Sequence, residues 1–259
     1  MKKFDTERCE IPFTGERVVP GEVSTSLWLQ HIKRYEFAAT FVKDKIVLDI
    51  GCSTGYGTHF LRNTGAKEVV GIDISEDAIK YAQTHFDAKY LVGDTLRLPF
   101  ENKQFDAVLC FEVIEHIPPE KRKMFLSESG RVLREKGVFI CSTPNQRVCS
   151  SVFPYTKSLI SSFHYPELSP QKFKKTLGKY FQHVTIYDQC KNNVFGAKLL
   201  NTFRHIFRVL PRGEKIKIIA KNIVEKNSAL NVSQDYGKIE SFENSFLSSY
   251  FTMIGVCKR

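Results

Sequence analysis

A mostly apolar run that ends in a glycine-rich turn constrains this sequence more than any other feature. Residues 45–50 are followed directly by Gly51, and a second glycine, Gly55, comes four residues later. Continuous apolar strands of this kind are typical of a sheet covered on both faces. Glycines directly after such a strand let the backbone approach a ligand, and N–H groups of the next helix then point at that ligand. The sequence therefore predicts a ligand-binding loop between a buried strand and a helix.

Strands and helices alternate after this turn. We predict strands at residues 45–50, 68–73, 90–92, 105–111, 137–142, 184–188 and 250–257, and helices at 26–42, 56–63, 75–85 and 118–133, with a further helix opening at Ser169. Such alternation implies right-handed crossovers and helices on both faces of a parallel sheet. The predicted fold class is α/β: a doubly wound, mostly parallel, seven-stranded Rossmann-like sheet, with an N-terminal helical arm and a basic insertion before the last strand.

Composition excludes several classes of protein. The chain is 42% hydrophobic and 25% charged, as in ordinary globular proteins. It contains no apolar run near the roughly 18 residues needed to span a bilayer, and its basic start lacks the apolar region of a secretory signal. Its seven cysteines are never spaced as C-x-x-C, which argues against a disulfide framework or a zinc site. We expect a cytoplasmic protein.

The positive charge is concentrated in one segment. Residues 191–221 contain eight Lys or Arg and one Glu, whereas the whole chain carries a net charge of +10. This concentration favours an anionic partner or, equally, a solvated helix face. Within it, residues 197–210 have an apolar stripe that would pack over a pocket or rest on a membrane surface. We expect four parts: an N-terminal arm and closing helix (1–42), the core (43–190), a basic cap (191–245) and the last core strand (246–259).

Two acidic residues indicate the kind of ligand. Asp73 ends the second strand, 22 residues after Gly51, where doubly wound folds place an acceptor for ribose hydroxyls; the alternative is a helix-capping role. Asp49 precedes the loop, and a carboxylate there suits an ammonium group better than a diphosphate. The loop also lacks the G-x-G-x-x-G pattern of nicotinamide enzymes. A dinucleotide is therefore disfavoured.

Five motifs in order extend this pattern. Asp49–Gly55 and Asp73 are followed by Gly93-Asp94-Thr95, by residues 105–116 and by residues 133–138. Together, over about residues 45–190, they resemble class I methyltransferases dependent on S-adenosyl-L-methionine. The resemblance implies a methyltransferase (EC 2.1.1 type) with that cofactor. Ser53 departs from the family, which usually has Gly there.

The resemblance also implies roles for individual residues. Asp49 and the loop backbone would hold the methionine end of the cofactor, Asp73 the ribose, Ile74 the adenine face and Asp94 the adenine amine. The remaining implied cofactor contacts are Gly51, Cys52, Ser53 and Gly55 in the loop, Thr95 beside Asp94, Cys110 and Phe111 near the sulfonium, and Arg34 or His31 at the cofactor carboxylate. Surface solvation is an equal alternative for the last pair.

Candidate catalytic residues follow the fourth predicted strand. Glu112, Glu115 and His116 lie there, and His116 is our first choice as base because an imidazole exchanges protons near neutral pH. Its alternative role is to shape the pocket through loop hydrogen bonds. His164 lies in a loop that related small-molecule enzymes bring over the acceptor, or it is a structural histidine.

The same four residues support a second interpretation. Glu112, Glu115, His116 and His164 resemble the metal-binding quartet of RNA methyltransferases that modify the terminal ribose 2′-hydroxyl. Small-molecule members share the Glu-x-x-Glu-His pattern without using a metal. No RNA-binding signature is visible in the sequence. We therefore expect no metal and disfavour nucleic acid as a partner.

The N-terminal segment favours one group of acceptors. Residues 13–21 and a helix containing residues 31–35 resemble the leader of bacterial and archaeal methyltransferases linked to surface-glycan and nucleotide-sugar pathways. The resemblance says nothing about the methylated atom but implies polysaccharide biosynthesis and a small acceptor that carries sugar or phosphate. Together with the basic cap, it leads us to expect methylation of an O or N atom in a small anionic acceptor that is sugar-, nucleotide- or phosphate-linked. A lipid or quinone acceptor at a membrane surface, and a subunit that has lost catalysis, are the alternatives.

Overall fold

The computed structural model describes residues 11, 17–146, 164–192, 239–241 and 249–259. The helices are α1 (Thr25–Val42), α2 (Tyr56–Asn63), α3 (Glu76–His85), α4 (Arg122–Val132) and α5 (Pro170–Leu177), with a 3-10 turn at Ile114–His116. The strands are β1 (Ile46–Ile50), β2 (Glu68–Asp73), β3 (Lys89–Val92), β4 (Phe105–Phe111), β5 (Leu133–Pro144), β6 (Gln182–Asn192), β7 (Ile239–Ser241) and β8 (Ser249–Lys258). None of the helices in these ranges combines the length and apolarity that crossing a membrane requires.

The strands form one sheet in the order β3-β2-β1-β4-β5-β8-β6-β7. The first five are parallel, and β8 runs antiparallel between β5 and β6. The predicted doubly wound, mostly parallel fold is therefore confirmed. The three-residue β7 adds a short strand at the edge, antiparallel to β6.

Alternate residues of the central strands supply two hydrophobic layers. Val47 of β1 belongs to the layer that contains Tyr35 of α1 and Leu61 of α2. The next residue, Leu48, belongs to the opposite layer, with Phe125 of α4 and other helix residues. Successive side chains of a strand point to opposite faces, so both sides of the apolar run in β1 are buried.

Capping side chains set several helix boundaries. Ser75 Oγ accepts from Ala78 N at 3.3 Å and Ser169 Oγ from Lys172 N at 3.4 Å, so these side chains cap α3 and α5. Helix α1 is capped by Ser24 and begins at Thr25, one residue before the predicted start. Helix α4 starts at Arg122, four residues later than predicted, because Lys121 N donates to Pro118 O at 2.8 Å in a preceding turn.

The strand order places a crevice at one edge of the sheet. β1 lies between β2 and β4, and the connections on its two sides run in opposite directions. In such sheets ligands bind outside the carboxyl ends of the strands at this point. The loop after β1, Asp73 of β2 and the turn after β4 all lie at this edge.

The expected basic cap falls largely outside the described residues, which omit 193–238. The apolar stripe at 197–210 lies entirely within that gap. Strands β6 and β7 extend the sheet past residue 190 on both sides of the gap. The four-part division of the chain stays a prediction.

Candidate active site

A cleft of about 440 Å³ opens at the carboxyl ends of β1, β2 and β4. Its size is typical of a small-molecule site. The residues that line it come from the N-terminal segment, the loops after β1, β2 and β3, and the turn between β4 and α4: Arg17, Gly51, Ser53, Asp73, Ile74, Asp94, Thr95, Leu96, Glu112, Val113, His116, Ile117, Pro118 and Lys121. The cleft thus collects six of the thirteen residues predicted to contact the cofactor and two of the four candidate catalytic residues.

The loop after β1 depends on left-handed backbone at three positions. Gly51 has φ +72°, and a Cβ there would lie 2.3 Å from Val113 Cγ2. Gly55 has φ +84° and is the N-cap residue of α2. Ser53 has φ +49°, a conformation that costs an L-residue energy which glycine avoids. The serine at position 53, where the family usually has glycine, therefore leaves the turn intact but strains the backbone at that residue.

Asp73 holds the loop in place. Its Oδ2 accepts from Ser53 N and its Oδ1 from Ser75 N, both at 2.9 Å. This carboxylate lines the cleft, with the exposed side chain of Ile74 next to it. Asp94, after β3, accepts from Leu96 N at 2.8 Å through Oδ1. Both acids thus order backbone at the cleft, and their ribose and adenine roles stay predictions.

Asp49 lies buried beneath the loop. Thr58 Oγ1 donates to its Oδ2 at 2.7 Å, and the Tyr35 hydroxyl lies 3.3 Å from the same oxygen. Burial raises the pKa of Asp49 to about 7. Cys52 is also buried, in contact with the cluster around Ile79, so its backbone rather than its thiol belongs to the loop surface.

Cys110 and Phe111 end β4 but pack inward. Phe111 is 7% exposed, and its ring meets Tyr35 edge-on with centroids 5.1 Å apart. Cys110 is fully buried in the opposite hydrophobic layer, and burial raises the pKa of its thiol. Neither side chain is among those that line the cleft, and their predicted contact with the cofactor stays a prediction.

Arg34 contacts Glu112 inside the protein. Its guanidinium is 2% exposed, lies 3.8 Å from Glu112 Oε1, and donates to Gln189 Oε1 at 3.1 Å. Ser142 Oγ donates to the same Glu112 oxygen at 2.6 Å. Arg34 therefore positions Glu112, which has φ +56° and lines the cleft. Its expected contact with the cofactor carboxylate is not tested by this arrangement.

His31, the alternative to Arg34, lies beside another helix. Its Nδ1 is 2.8 Å from the hydroxyl of Tyr56. Burial, followed by the nearby charge of Arg34, lowers the pKa of His31 well below its usual value. A neutral imidazole accepting from a tyrosine is the state that this environment favours.

His116, which lines the cleft, converges with His164 and Glu115. The two imidazole rings meet edge to face with centroids 4.7 Å apart, and one ligand atom from each of the three residues lies within 4.8 Å of the others. Glu115 Oε2 accepts from Thr143 Oγ1 at 3.2 Å. Burial and then the charge of Glu112 raise the pKa of Glu115 well above its usual value. Three of the four residues of the predicted quartet are thus brought together, whereas Glu112 is engaged by other side chains.

Sequence reasoning missed several cleft residues. Arg17 lies within the leader motif at residues 13–21, and Lys121 lies within the helix predicted at 118–133, but neither was expected in the site. Val113 was missed as the side chain that packs on Gly51. Nothing in a local pattern marks such residues, because they reach the cleft through tertiary contacts.

Comparisons with known proteins agree with this geometry. Residues 47–137 match the family described as "Methyltransferase domain". A Mycolicibacterium smegmatis protein named "Probable S-adenosylmethionine-dependent methyltransferase" is 32% identical over 64% of this chain and 63% of its own length. A ubiquinone biosynthesis O-methyltransferase of Azorhizobium caulinodans is 35% identical over 40% of this chain and 42% of its own. The chain thus spans less than two thirds of these relatives.

A solved structure shows the same fold over most of the chain. The crystal structure of a SAM-dependent methyltransferase from Archaeoglobus fulgidus superposes with a TM-score of 0.56, covering 91% of this chain and 95% of that one at 21% identity. Residues 47–137 of the chain are therefore similar to a methyltransferase domain, and at this identity the superposition shows that the fold is shared.

Proposed function

We propose that this protein transfers a methyl group from S-adenosylmethionine to an O or N atom of a small anionic acceptor, sugar-, nucleotide- or phosphate-linked, in surface-glycan biosynthesis. The observation that carries the proposal is the single cleft in which Asp73 and Asp94 on one side meet Glu112 and His116 on the other. The leader motif supports the acceptor class. The described cysteines are free thiols, which supports a cytoplasmic location.

The residues present fit the cofactor. Gly51, which has no side chain, lines the cleft with its backbone, and the exposed Ile74 offers an apolar surface to a base. Asp73 and Asp94 provide carboxylates for hydroxyl and amine donors, while Asp49 gains a counter-charge if an ammonium group lies above the loop. When bound, S-adenosylmethionine supplies a methyl group already activated by a sulfonium.

The protein must then align the acceptor and remove its proton. We assign proton acceptance to a ring nitrogen of His116, which lines the cleft and packs against His164. Lys121 at the same end contributes positive charge that favours an anionic acceptor. Glu112, held by Ser142 and Arg34, supplies a fixed carboxylate beside the transferring group.

Calorimetry with S-adenosylhomocysteine, followed by transfer of labelled methyl groups to nucleotide sugars and sugar phosphates, tests the proposal. Asp73→Ala is expected to weaken cofactor binding at least tenfold, and His116→Gln to slow transfer without weakening cofactor binding. Glu68→Gln, at an exposed pair with Lys89, serves as the control. If the wild type does not bind S-adenosylhomocysteine, or if Asp73→Ala binds it unchanged, the proposed function is wrong. A protein that binds it but methylates none of these acceptors contradicts the acceptor class.

A metal-dependent methylation of terminal ribose in RNA is the second candidate. The convergence of Glu115, His116 and His164 favours it, because two imidazoles and a carboxylate suit a divalent cation. Titration of the protein with Mn²⁺ or Mg²⁺, compared with His164→Ala, tests the site directly. Activity on short RNAs that chelation abolishes would support this candidate. An enzyme that is active without divalent metal and inactive on RNA would exclude it.

A quinone or lipid acceptor is the third candidate, favoured by the quinone-pathway relative. Co-sedimentation with liposomes, in parallel with a quinol in the transfer assay, separates it from the first. Binding to vesicles together with quinol methylation would replace the sugar-linked acceptor.

A further inference from the structure

The N-terminal segment is anchored to the loop after β1 and to helix α3. Thr54 Oγ1, in the loop after β1, donates to Val18 O at 2.9 Å, and Thr54 is fully buried. Val19 is also fully buried, in a cluster with Ala78 of α3 and Ile11. These contacts hold the backbone that directly follows Arg17, so the position of Arg17 relative to the cleft is defined by packing.

Arg17 itself lines the cleft beside Asp73 and Ile74. Its Nη2 donates to Ser75 Oγ at 2.8 Å, the same oxygen that caps α3. This bond engages one of the five N–H donors of the guanidinium. The side chain is thereby held at the end of the cleft formed by β2 and α3.

Ile74 gives this end of the cleft its chemical character. Its side chain is 71% exposed, although it follows a strand whose core residues are buried. An aliphatic side chain presented beside a guanidinium forms a surface suited to a flat, nitrogen-rich ring. The planar guanidinium stacks on such rings and donates to their acceptor atoms, which lysine cannot do in the same way.

We propose that Arg17 is a specificity-determining residue of the cofactor site, and that its guanidinium contacts the adenine base beside Ile74. The inference rests on the proposed function and adds the N-terminal segment to the cofactor site. Because the contact involves the base and not the sulfonium end, it should strengthen binding of every adenosine ligand by the same factor.

Calorimetry with two ligands tests the inference. S-adenosylhomocysteine carries adenosine and the amino acid, whereas 5′-methylthioadenosine carries adenosine alone. Arg17→Ala is expected to weaken both by the same factor, roughly fivefold to tenfold. Arg17→Lys should recover only part of the loss. Arg62→Ala removes one positive charge at an exposed pair with Asp87 and should leave both affinities unchanged.

Ser75→Ala separates ligand contact from a purely structural role. It removes the cap of α3 and the partner of Arg17 but keeps the guanidinium. We expect Ser75→Ala to lower thermal stability more than Arg17→Ala does, and Arg17→Ala to weaken binding more than Ser75→Ala does. The reverse order would show that Arg17 acts by capping and would overturn the inference.

The failures of the two proposals are distinguishable. Wild-type protein that binds S-adenosylhomocysteine while Arg17→Ala binds it equally well overturns only the role of Arg17. A loss confined to S-adenosylhomocysteine, with 5′-methylthioadenosine unaffected, also overturns it, because the contact would then not be to adenosine. Wild-type protein that binds neither ligand overturns the proposed function and, with it, this inference.

Discussion

At the scale of single residues, Asp49 combines a buried carboxyl group with a position directly before the loop. Thr58 and Tyr35 hold it, yet burial outweighs their hydrogen bonds and raises its pKa to about 7. An isolated carboxylate is costly to bury, so the protonated form is favoured in the folded protein until the pH reaches that value. A cation bound above the loop would instead favour the ionised form of Asp49.

This environment predicts a pH-dependent effect of Asp49→Asn. The native state keeps the proton that the unfolded chain loses near pH 4, so wild-type stability falls as the pH rises from about 4 to about 7. The asparagine variant lacks this loss and should gain on the wild type by up to about 4 kcal/mol across that range. Urea unfolding of both proteins from pH 4.5 to 8 measures the difference.

Asp87→Asn is the control, because that side chain is exposed and paired with Arg62. It should follow the wild type at every pH. Equal pH profiles for the wild type and Asp49→Asn would contradict the raised pKa. The same asparagine variant should bind S-adenosylhomocysteine more weakly if the carboxylate faces the cofactor ammonium.

Ser53 gives a second prediction at this scale. Its φ of +49° favours glycine, so Ser53→Gly should stabilise the protein by about 0.5–1 kcal/mol. Ser127→Gly makes the same chemical change in the exposed interior of α4, where it should destabilise by about 0.5 kcal/mol. Unfolding by denaturant compares the two. A destabilising Ser53→Gly would show that the serine side chain supports the turn.

At the scale of elements, the loop after β1 and the turn after β4 are packed together at Gly51 and Val113. Gly51→Ala adds a Cβ 2.3 Å from Val113 Cγ2 and also strains the backbone, so we expect a loss of about 2–4 kcal/mol. Gly21 has φ +87° with no atom within 4 Å of an added Cβ. Gly21→Ala should therefore cost only the strain, about 1 kcal/mol.

A double-mutant cycle with Val113→Ala checks the cause. Shortening Val113 makes room for the new methyl group, so the double variant should lose less stability than the sum of the two single changes. Strict additivity would mean that the contact between the two loops does not limit the position. Calorimetric affinity for S-adenosylhomocysteine should fall in Gly51→Ala and stay unchanged in Gly21→Ala.

At the scale of the whole molecule, Arg34 connects parts of the chain that are far apart in sequence. From α1 it reaches Gln189 of β6, Thr252 of β8 and Glu112 after β4. Arg34→Met should therefore destabilise the protein by about 2 kcal/mol, because it leaves the buried Gln189 and the partly exposed Glu112 without the guanidinium. Adding Glu112→Gln to the Arg34→Met variant should restore part of the lost stability.

Arg134→Met is the matched control, since Arg134 pairs with Asp106 at a half-exposed position. That change should cost less than 1 kcal/mol. Thermal and denaturant unfolding of the three variants gives the comparison. If Arg34→Met were no less stable than Arg134→Met, the contacts of Arg34 would not stabilise the packing of the N-terminal helix against the C-terminal strands.

Local features of the sequence predicted much of the fold. The bounds predicted for α2, β2 and β4 are those observed, and Gly55 directly precedes α2. Strand β5 runs longer than predicted, from Leu133 to Pro144, because Leu133 pairs with Phe105 across a register shift. Pairing with a neighbouring strand can extend an element through residues that have no strand pattern of their own.

The sequence by itself determined the order of strands and helices, the glycine loop and the acids at its ends, because apolar periodicity, turn residues and motif spacing are local properties of the chain. Only the tertiary structure decided that Arg34 contacts Glu112, that Arg17 lines the cleft, and that Glu115 joins His116 and His164. Each of these depends on which distant groups share a buried space. A buried charge takes whatever partner the packing provides, and local pattern does not specify that partner.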